Sequence, residues 1–327
     1  SRHAASSSND PPCCVNPCSA TSPPGSLPYD RWFTLPYLVR VSFTGGSVAA
    51  LMRTSNRNYA ATVPFVEALA RLGLQHAAIT PGSRNTPLAF AFAANPEVAD
   101  SSHHDERSAA FFALGMARST RQPVALVCTS GTAAAEYLPA IIDGRTARIP
   151  LIVLTADRPP ETRDVGAPQT IDQHGMYGRA VKWSYEAPVP EATPDIVNAF
   201  TALAGRAWSA ALDAPMGPVH LNLPFRDPLA PVLVPGDVPV DLPEPIFPSY
   251  SPSPPATPTV ELVERVFNSL ISKKALMIAG PTDDPRFSAP AADLATRAQI
   301  PVIADPLSGL RAGNHSLTNV ISTGDWL

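Results

Sequence analysis

The sequence predicts an α/β protein built on a parallel sheet, and three observations carry that prediction. Short apolar runs alternate with amphipathic helical stripes from residue 62 to residue 155. The stretches between the runs are long enough for helical crossovers, which parallel neighbours require. A proline-rich segment ends the pattern near residue 230, and a second alternation of helix and strand begins near residue 259.

Composition bounds the possibilities. The chain has 327 residues, 45% hydrophobic and 16% charged, with a formal net charge of -4. That is enough apolar material for one or two packed domains and excludes disorder throughout. No apolar run approaches the roughly 18 residues of a membrane span. The 24 basic residues include only three lysines, Lys182, Lys273 and Lys274, and the small negative charge argues against a basic nucleic-acid surface. Cys13, Cys14 and Cys18 crowd the start and only Cys128 lies in the body. No disulfide scaffold is expected, and an intracellular compartment fits. The early cluster lacks paired C-x-x-C spacing and an accompanying histidine, so no metal site is expected there.

The elements follow in order. Residues 1–51 are rich in Ser and Pro without a sustained period, and read as a disordered leader or non-native extension; a Ser-rich, acid-poor leader also suits a transit peptide. Met52 is the expected native start. Helix 62–72 places Val63, Val66, Leu69, Ala70 and Leu72 on one stripe, and 76–80 reads as a strand. Helix 87–94, opened by Ser83 to Thr86, leads to a weaker strand before His103. Helix 108–118 carries Ala109, Phe112, Ala113 and Met116 on a core-facing or subunit-facing stripe. Strand 124–129, helix 133–143, strand 151–155 and a late strand 219–223 complete the first domain, 52–230. Eleven prolines between Pro228 and Pro258 make 231–258 a stiff extended linker. A second α/β unit, 259–327, begins with helix 260–272, strand 275–279, helix 291–299 and strand 301–304.

Ligands of open parallel sheets bind beyond the carboxyl ends of the strands. Those positions hold Pro81-Gly82-Ser83-Arg84, His103-His104-Asp105-Glu106-Arg107, Thr129-Ser130-Gly131-Thr132 and Ala156-Asp157-Arg158-Pro159. Each alone is an ordinary turn or helix cap; four polar loops on one edge are not.

In this order the loops resemble the three-layer pyrimidine-binding domain of thiamine-diphosphate enzymes. The runs Ile79 to Arg84, Asp105-Glu106-Arg107, Thr129 to Ala133 and Leu154 to Glu161 are similar to those of the 2-succinyl-5-enolpyruvyl-6-hydroxy-3-cyclohexene-1-carboxylate synthases of menaquinone biosynthesis, over about 57–230. Ile300 to Arg311 resembles the start of their central domain.

That resemblance implies a transferase using thiamine diphosphate and Mg²⁺, with 2-oxoglutarate and isochorismate as substrates. It assigns Glu106 the catalytic carboxylate at N1′ of the aminopyrimidine, a role that calls for a dry pocket. Pro81, Thr129, Ser130, Gly131 and Thr132 would border the cofactor, while Ser83, Arg84, Arg158 and Gln169 would bind isochorismate, whose two carboxylates suit guanidinium forks. Two positions depart from the family: Pro168 precedes Gln169 where Asn is common, and Glu136 stands at another Asn position. The family's Mg²⁺ site is a Gly-Asp motif followed by a distant Asn on a C-terminal domain. Gly236-Asp237 and Gly324-Asp325 do not meet that pattern, so no metal site is expected in this chain and, taken alone, it is expected to be inactive. The resemblance further implies a homo-oligomer, dimer or tetramer, in the cytoplasm, or in an organelle stroma if residues 1–51 are a transit peptide. The rival readings are another thiamine-dependent 2-oxo-acid decarboxylase or carboligase, and a non-catalytic α/β module that binds a dicarboxylate or a subunit.

Overall fold

The computed structural model describes residues 48–252, 257–271, 274–282 and 284–324. The expected leader and the cluster of Cys13, Cys14 and Cys18 therefore lie outside the described residues, except for 48–51.

Those four residues open a helix. Helix α1 (Val48–Arg53) buries Met52, and α2 (Arg57–Leu72) follows after Asn56, whose side chain caps the helix by accepting from the Asn58 N–H. The helix stops at Gly73, where φ of 113° demands glycine. Its start lies five residues before the sequence expectation, because a polar cap and not an apolar residue opens it.

Six strands then form a parallel sheet. These are β1 (His76–Ile79), β2 (Ala99–Ser102), β3 (Val124–Cys128), β4 (Leu151–Asp157), β5 (Trp183–Glu186) and β6 (Val219–Pro224), in the order β2-β1-β3-β4-β6-β5. Between them run α3 (Thr86–Ala93), α4 (Glu106–Thr120), α5 (Thr132–Ala135), α6 (Leu138–Ala147) and α7 (Pro194–Leu212). β3 alternates strictly: Ala125 and Val127 join Phe65, Leu88 and Phe200 from α2, α3 and α7, while Val124, Leu126 and Cys128 join Ala113, Tyr137 and Ile141 on the other face. Helices on both faces explain why the central strands are apolar throughout. The expected helix 133–143 is two helices, because the chain breaks at Glu136-Tyr137 and turns the buried Tyr137 hydroxyl onto the Val127 carbonyl, 2.9 Å away. β5 and α7 went unpredicted. Thr193, which caps α7 ahead of Pro194, was the available signal.

The proline-rich stretch is not a free linker. Residues 226–250 bind back along α1, α2 and α7. Asn58 Nδ2 donates to the carbonyls of Arg226 and Pro228, Tyr59 Oη donates to Leu229 O, and Val234 N donates to Ser55 O. Arg57 pairs with Asp237, Thr201 Oγ1 donates to Ile246 O, and Arg71 lies 3.7 Å over the Phe247 ring. Proline supplies an extended backbone, but the polar groups left between the prolines are met by these helices.

A smaller parallel sheet follows, β7 (Met277–Ala279), β8 (Val302–Ala304) and β9 (Val320–Ile321), accompanied by α8 (Val260–Ile271) and α9 (Ser288–Ala298). Ala279, Val302 and Ala304 pack against Ala291, Ala292 and Ala295 of α9. No helix among the described residues is long and apolar enough to cross a membrane.

Candidate functional site at the carboxyl edge

The strand order reverses between β1 and β3, so the crevice beyond their carboxyl ends is the expected ligand position. The loops after these strands touch there. A Cβ built on Gly82 would stand 2.3 Å from the Thr129 Cβ, so only glycine lets the two loops close. Gly131 has φ of 88°, again a glycine conformation. The Thr129 hydroxyl is buried with no partner. Asn85 fixes the first loop from below by donating to the Thr80 carbonyl at 2.8 Å.

Arg84 and Arg158 enter this crevice from different strands. Arg84 Nη1 donates to Phe225 O at 2.9 Å, while its Nε is buried with no acceptor. Burial lowers the Arg84 pKa, and Asp227 opposes this; the nearby positive charge of Arg158 lowers it further. Arg158 Nη1 donates to Ser130 Oγ at 2.7 Å and to Gln169 O at 3.1 Å. Gln169, in the left-handed region at φ 57°, returns its Nε2 to Ser130 O at 3.0 Å. Ser130, Arg158 and Gln169 thus form one hydrogen-bonded cluster, although the sequence reading set Ser130 beside the cofactor and Arg158 and Gln169 at the acceptor; Ser83 and Arg84 lie on the loop after β1.

Behind the cluster lies a buried polar network that the sequence reading missed. Gln173 accepts from Gly131 N at 2.7 Å and donates to Asn222 Oδ1 at 2.8 Å; Asn222 Nδ2 donates to Asp157 Oδ2 at 2.8 Å. Thr155 donates to Asn222 Oδ1 at 2.9 Å, so its contact with His220 Nε2 at 2.8 Å makes that nitrogen the donor. Burial depresses the His220 pKa to about 3, with a smaller push from His174, and keeps the ring neutral. Burial raises the Asp157 pKa, against hydrogen bonds from Asn222 and Arg158 N and the charge of Arg163. Arg163 bridges Asp157 and Glu186 at 3.0 and 2.8 Å. The available signal was His220 and Asn222 alternating inside an otherwise apolar strand.

Glu106 is the first residue of α4, whose N-terminus is capped by Asp105 accepting from Ser108 N at 2.7 Å. It is half-buried in this chain. It stands beyond β2, with β1 between it and the loop after β3, and its charge still reaches Cys128 at the end of β3. That thiol is raised chiefly by burial, is eased by a hydrogen bond with Tyr137, and is pushed further by Glu106. His103 packs against Phe112 with the rings tilted by 48° and centroids 4.7 Å apart, and meets Ser101 Oγ at 3.0 Å, a packing role. Among the described residues no group of three or more His, Cys, Asp or Glu is placed to hold a metal ion.

The chain is similar to known proteins in sequence and in fold. Residues 61–176 match the family model for the thiamine pyrophosphate enzyme, N-terminal TPP binding domain. The chain is 47% identical over 264 residues to the 2-succinyl-5-enolpyruvyl-6-hydroxy-3-cyclohexene-1-carboxylate synthase of Geobacillus thermodenitrificans, covering 80% of this chain and 44% of the relative. It is 44% identical over 280 residues to the synthase of the same name from Haloquadratum walsbyi, covering 84% and 45%. The chain therefore spans just under half the length of these curated relatives. Its fold is similar to that of benzoylformate decarboxylase from Polynucleobacter necessarius, with a TM-score of 0.55 and 24% identity over 76% of this chain and 44% of that one.

Proposed function

Because the chain belongs to the thiamine-diphosphate enzymes and, over about four-fifths of its length, matches just under half of their 2-succinyl-5-enolpyruvyl-6-hydroxy-3-cyclohexene-1-carboxylate synthases, we propose that it supplies the aminopyrimidine side and the acceptor side of such a synthase. The complete enzyme would decarboxylate 2-oxoglutarate and join the succinyl unit to isochorismate. The observation that carries this reading is the pair Arg84 and Arg158 on two loops of the same sheet edge, with a buried Arg84 Nε that no protein atom accepts. A planar guanidinium matches a carboxylate, and an acceptor with two carboxylates answers both. Ser83 precedes Arg84 in the loop after β1, and Gln169 holds Ser130 and Arg158 in place.

The residues also fit the cofactor. The close approach at Gly82, the positive φ of Gly131 and the unpartnered Thr129 hydroxyl suit a flat heteroaromatic ring bordered by Pro81 and Thr129 to Thr132. When bound, thiamine diphosphate supplies the electron sink that lets a 2-oxo acid lose CO2. Glu106 would hold a proton at N1′ of the ring, and covering its half-exposed carboxyl would give it the dry surroundings that role needs. The cover we propose is a second copy of the chain. Phe111 and Phe112 of α4 and Leu138 and Ile142 of α6 are exposed apolar residues on the same face of the sheet. Mg²⁺ and the diphosphate would be held by a part of the enzyme other than the described residues, and the setting would be aqueous, cytoplasm or stroma.

The test uses the protein completed with a C-terminal domain from a relative. Glu106→Gln should lower 2-oxoglutarate decarboxylation by at least about 100-fold. Arg158→Ala should leave decarboxylation largely intact and weaken isochorismate use, because the acceptor enters after CO2 has left. Near-normal decarboxylation by Glu106→Gln would refute the assignment of Glu106; loss of decarboxylation in a folded Arg158→Ala protein would move Arg158 out of the acceptor site.

A further inference from the structure

We propose that the cleft beyond the carboxyl ends of β5 and β6 is a second binding site, for a small apolar monocarboxylate, built from residues distinct from the Arg84 and Arg158 cluster. The cleft has a volume of about 610 Å³ and is lined mainly by apolar side chains, with Leu203, Ala187 and Pro224 buried in its wall. That volume falls within the range of small-molecule sites, and the position is again the carboxyl edge of a parallel sheet.

Its charges select the ligand. Glu186 is already engaged, by Arg163, which it shares with Asp157, at 2.8 Å and by the His174 ring at 3.2 Å. A cationic ligand would find no free carboxylate there. Arg206 carries the opposite charge and forms no ion pair among the described residues; its guanidinium lies 4.8 Å over the Trp183 ring. Trp183 in turn stacks on Tyr185, with centroids 5.8 Å apart and planes 20° off parallel. The aromatic face orients the guanidinium without neutralising it, since a ring offers only a quadrupole. One open cation, an apolar wall and the Tyr185 ring, with Trp183 behind Arg206, together complement a single carboxylate on an apolar body. A polyanion finds only one cation here and meets the Glu186 carboxylate.

The test follows the Trp183 indole N–H resonance of the ¹⁵N-labelled chain, assigned with Trp183→Phe, during titration with benzoate and 3-phenylpropionate. Because both probes are carboxylates, the titration is run in an Arg158→Gln background, which weakens the other anion site. We expect a saturable shift in the millimolar range, normal for ligands this small, and little response to benzyl alcohol. Arg206 is exposed, so Arg206→Met should fold normally while weakening carboxylate binding at least about tenfold. A Trp183 resonance that does not move, or Arg206→Met binding benzoate as tightly as its parent, overturns the proposal. Equal binding of benzyl alcohol and benzoate overturns the assignment of a carboxylate.

Discussion

The two halves of the main sheet's carboxyl edge treat their polar groups differently. Beyond β4 and β6, Asp157, Asn222, Gln173 and Thr155 supply one another with donors and acceptors, and only the lone pair of His220 Nδ1 is left over. Beyond β1 and β3, the Arg84 Nε and the Thr129 hydroxyl are buried without partners. A closed network fixes geometry, whereas an open set of donors keeps a standing desolvation cost that a ligand can remove. We read the first half as scaffold and propose the second as the half that a ligand completes.

The largest effect expected from breaking this contrast is in the closed half. Asn222→Ala should strand the buried Asp157 and Gln173 groups and lower stability to urea by about 3 kcal/mol. The pH dependence comes next. The His220 pKa is depressed to about 3 in the folded chain, so its contribution is complete above the ordinary value of 6.5 and is lost as pH falls from there towards 3. The parent should lose about 2 kcal/mol more than His220→Gln between about pH 7 and about pH 5. Gly82→Ala, which drives a methyl group into Thr129, should cost about 1–3 kcal/mol by the same urea assay. Arg84→Met is expected to matter least, within about 1 kcal/mol, since it removes a half-paired cation in exchange for one bond to Phe225 O. If Arg84→Met destabilises the chain as much as Asn222→Ala, the open half is scaffold too.

The sheet was legible because its strands are extreme. β3 and β4 are buried on both faces, and continuous apolar runs such as Val124 to Cys128 follow directly from that. The edge strand β5 was not legible, since Trp183, Ser184 and Tyr185 are partly exposed and spell no run. At the candidate site, Ser130 and Arg158 could be read because they follow β3 and β4 within two residues, and Ser83 and Arg84 because they fall in the short loop between β1 and α3. Gln173 could not. It is 1% exposed in an irregular segment, and what makes it matter is a partner 49 residues away in β6. Local pattern carries turn chemistry and strand ends, but not which buried amides meet across a core. The proline segment failed for a related reason: composition describes the stiffness of 231–258, while its docking depends on Asn58, Tyr59 and Thr201, each of which reads as an ordinary helix residue.

That docked segment has a consequence for how the protein could be cut. A boundary at residue 230, drawn from composition, would leave the Arg53, Arg57 and Thr201 side chains without their counterparts at Glu244, Asp237 and Ile246. It would also uncover Ser55 O and the ring-facing side of Arg71. The segment works as a clasp that ties the first two helices to α7, so an autonomous unit excised from this chain should run from Val48 through at least Tyr250.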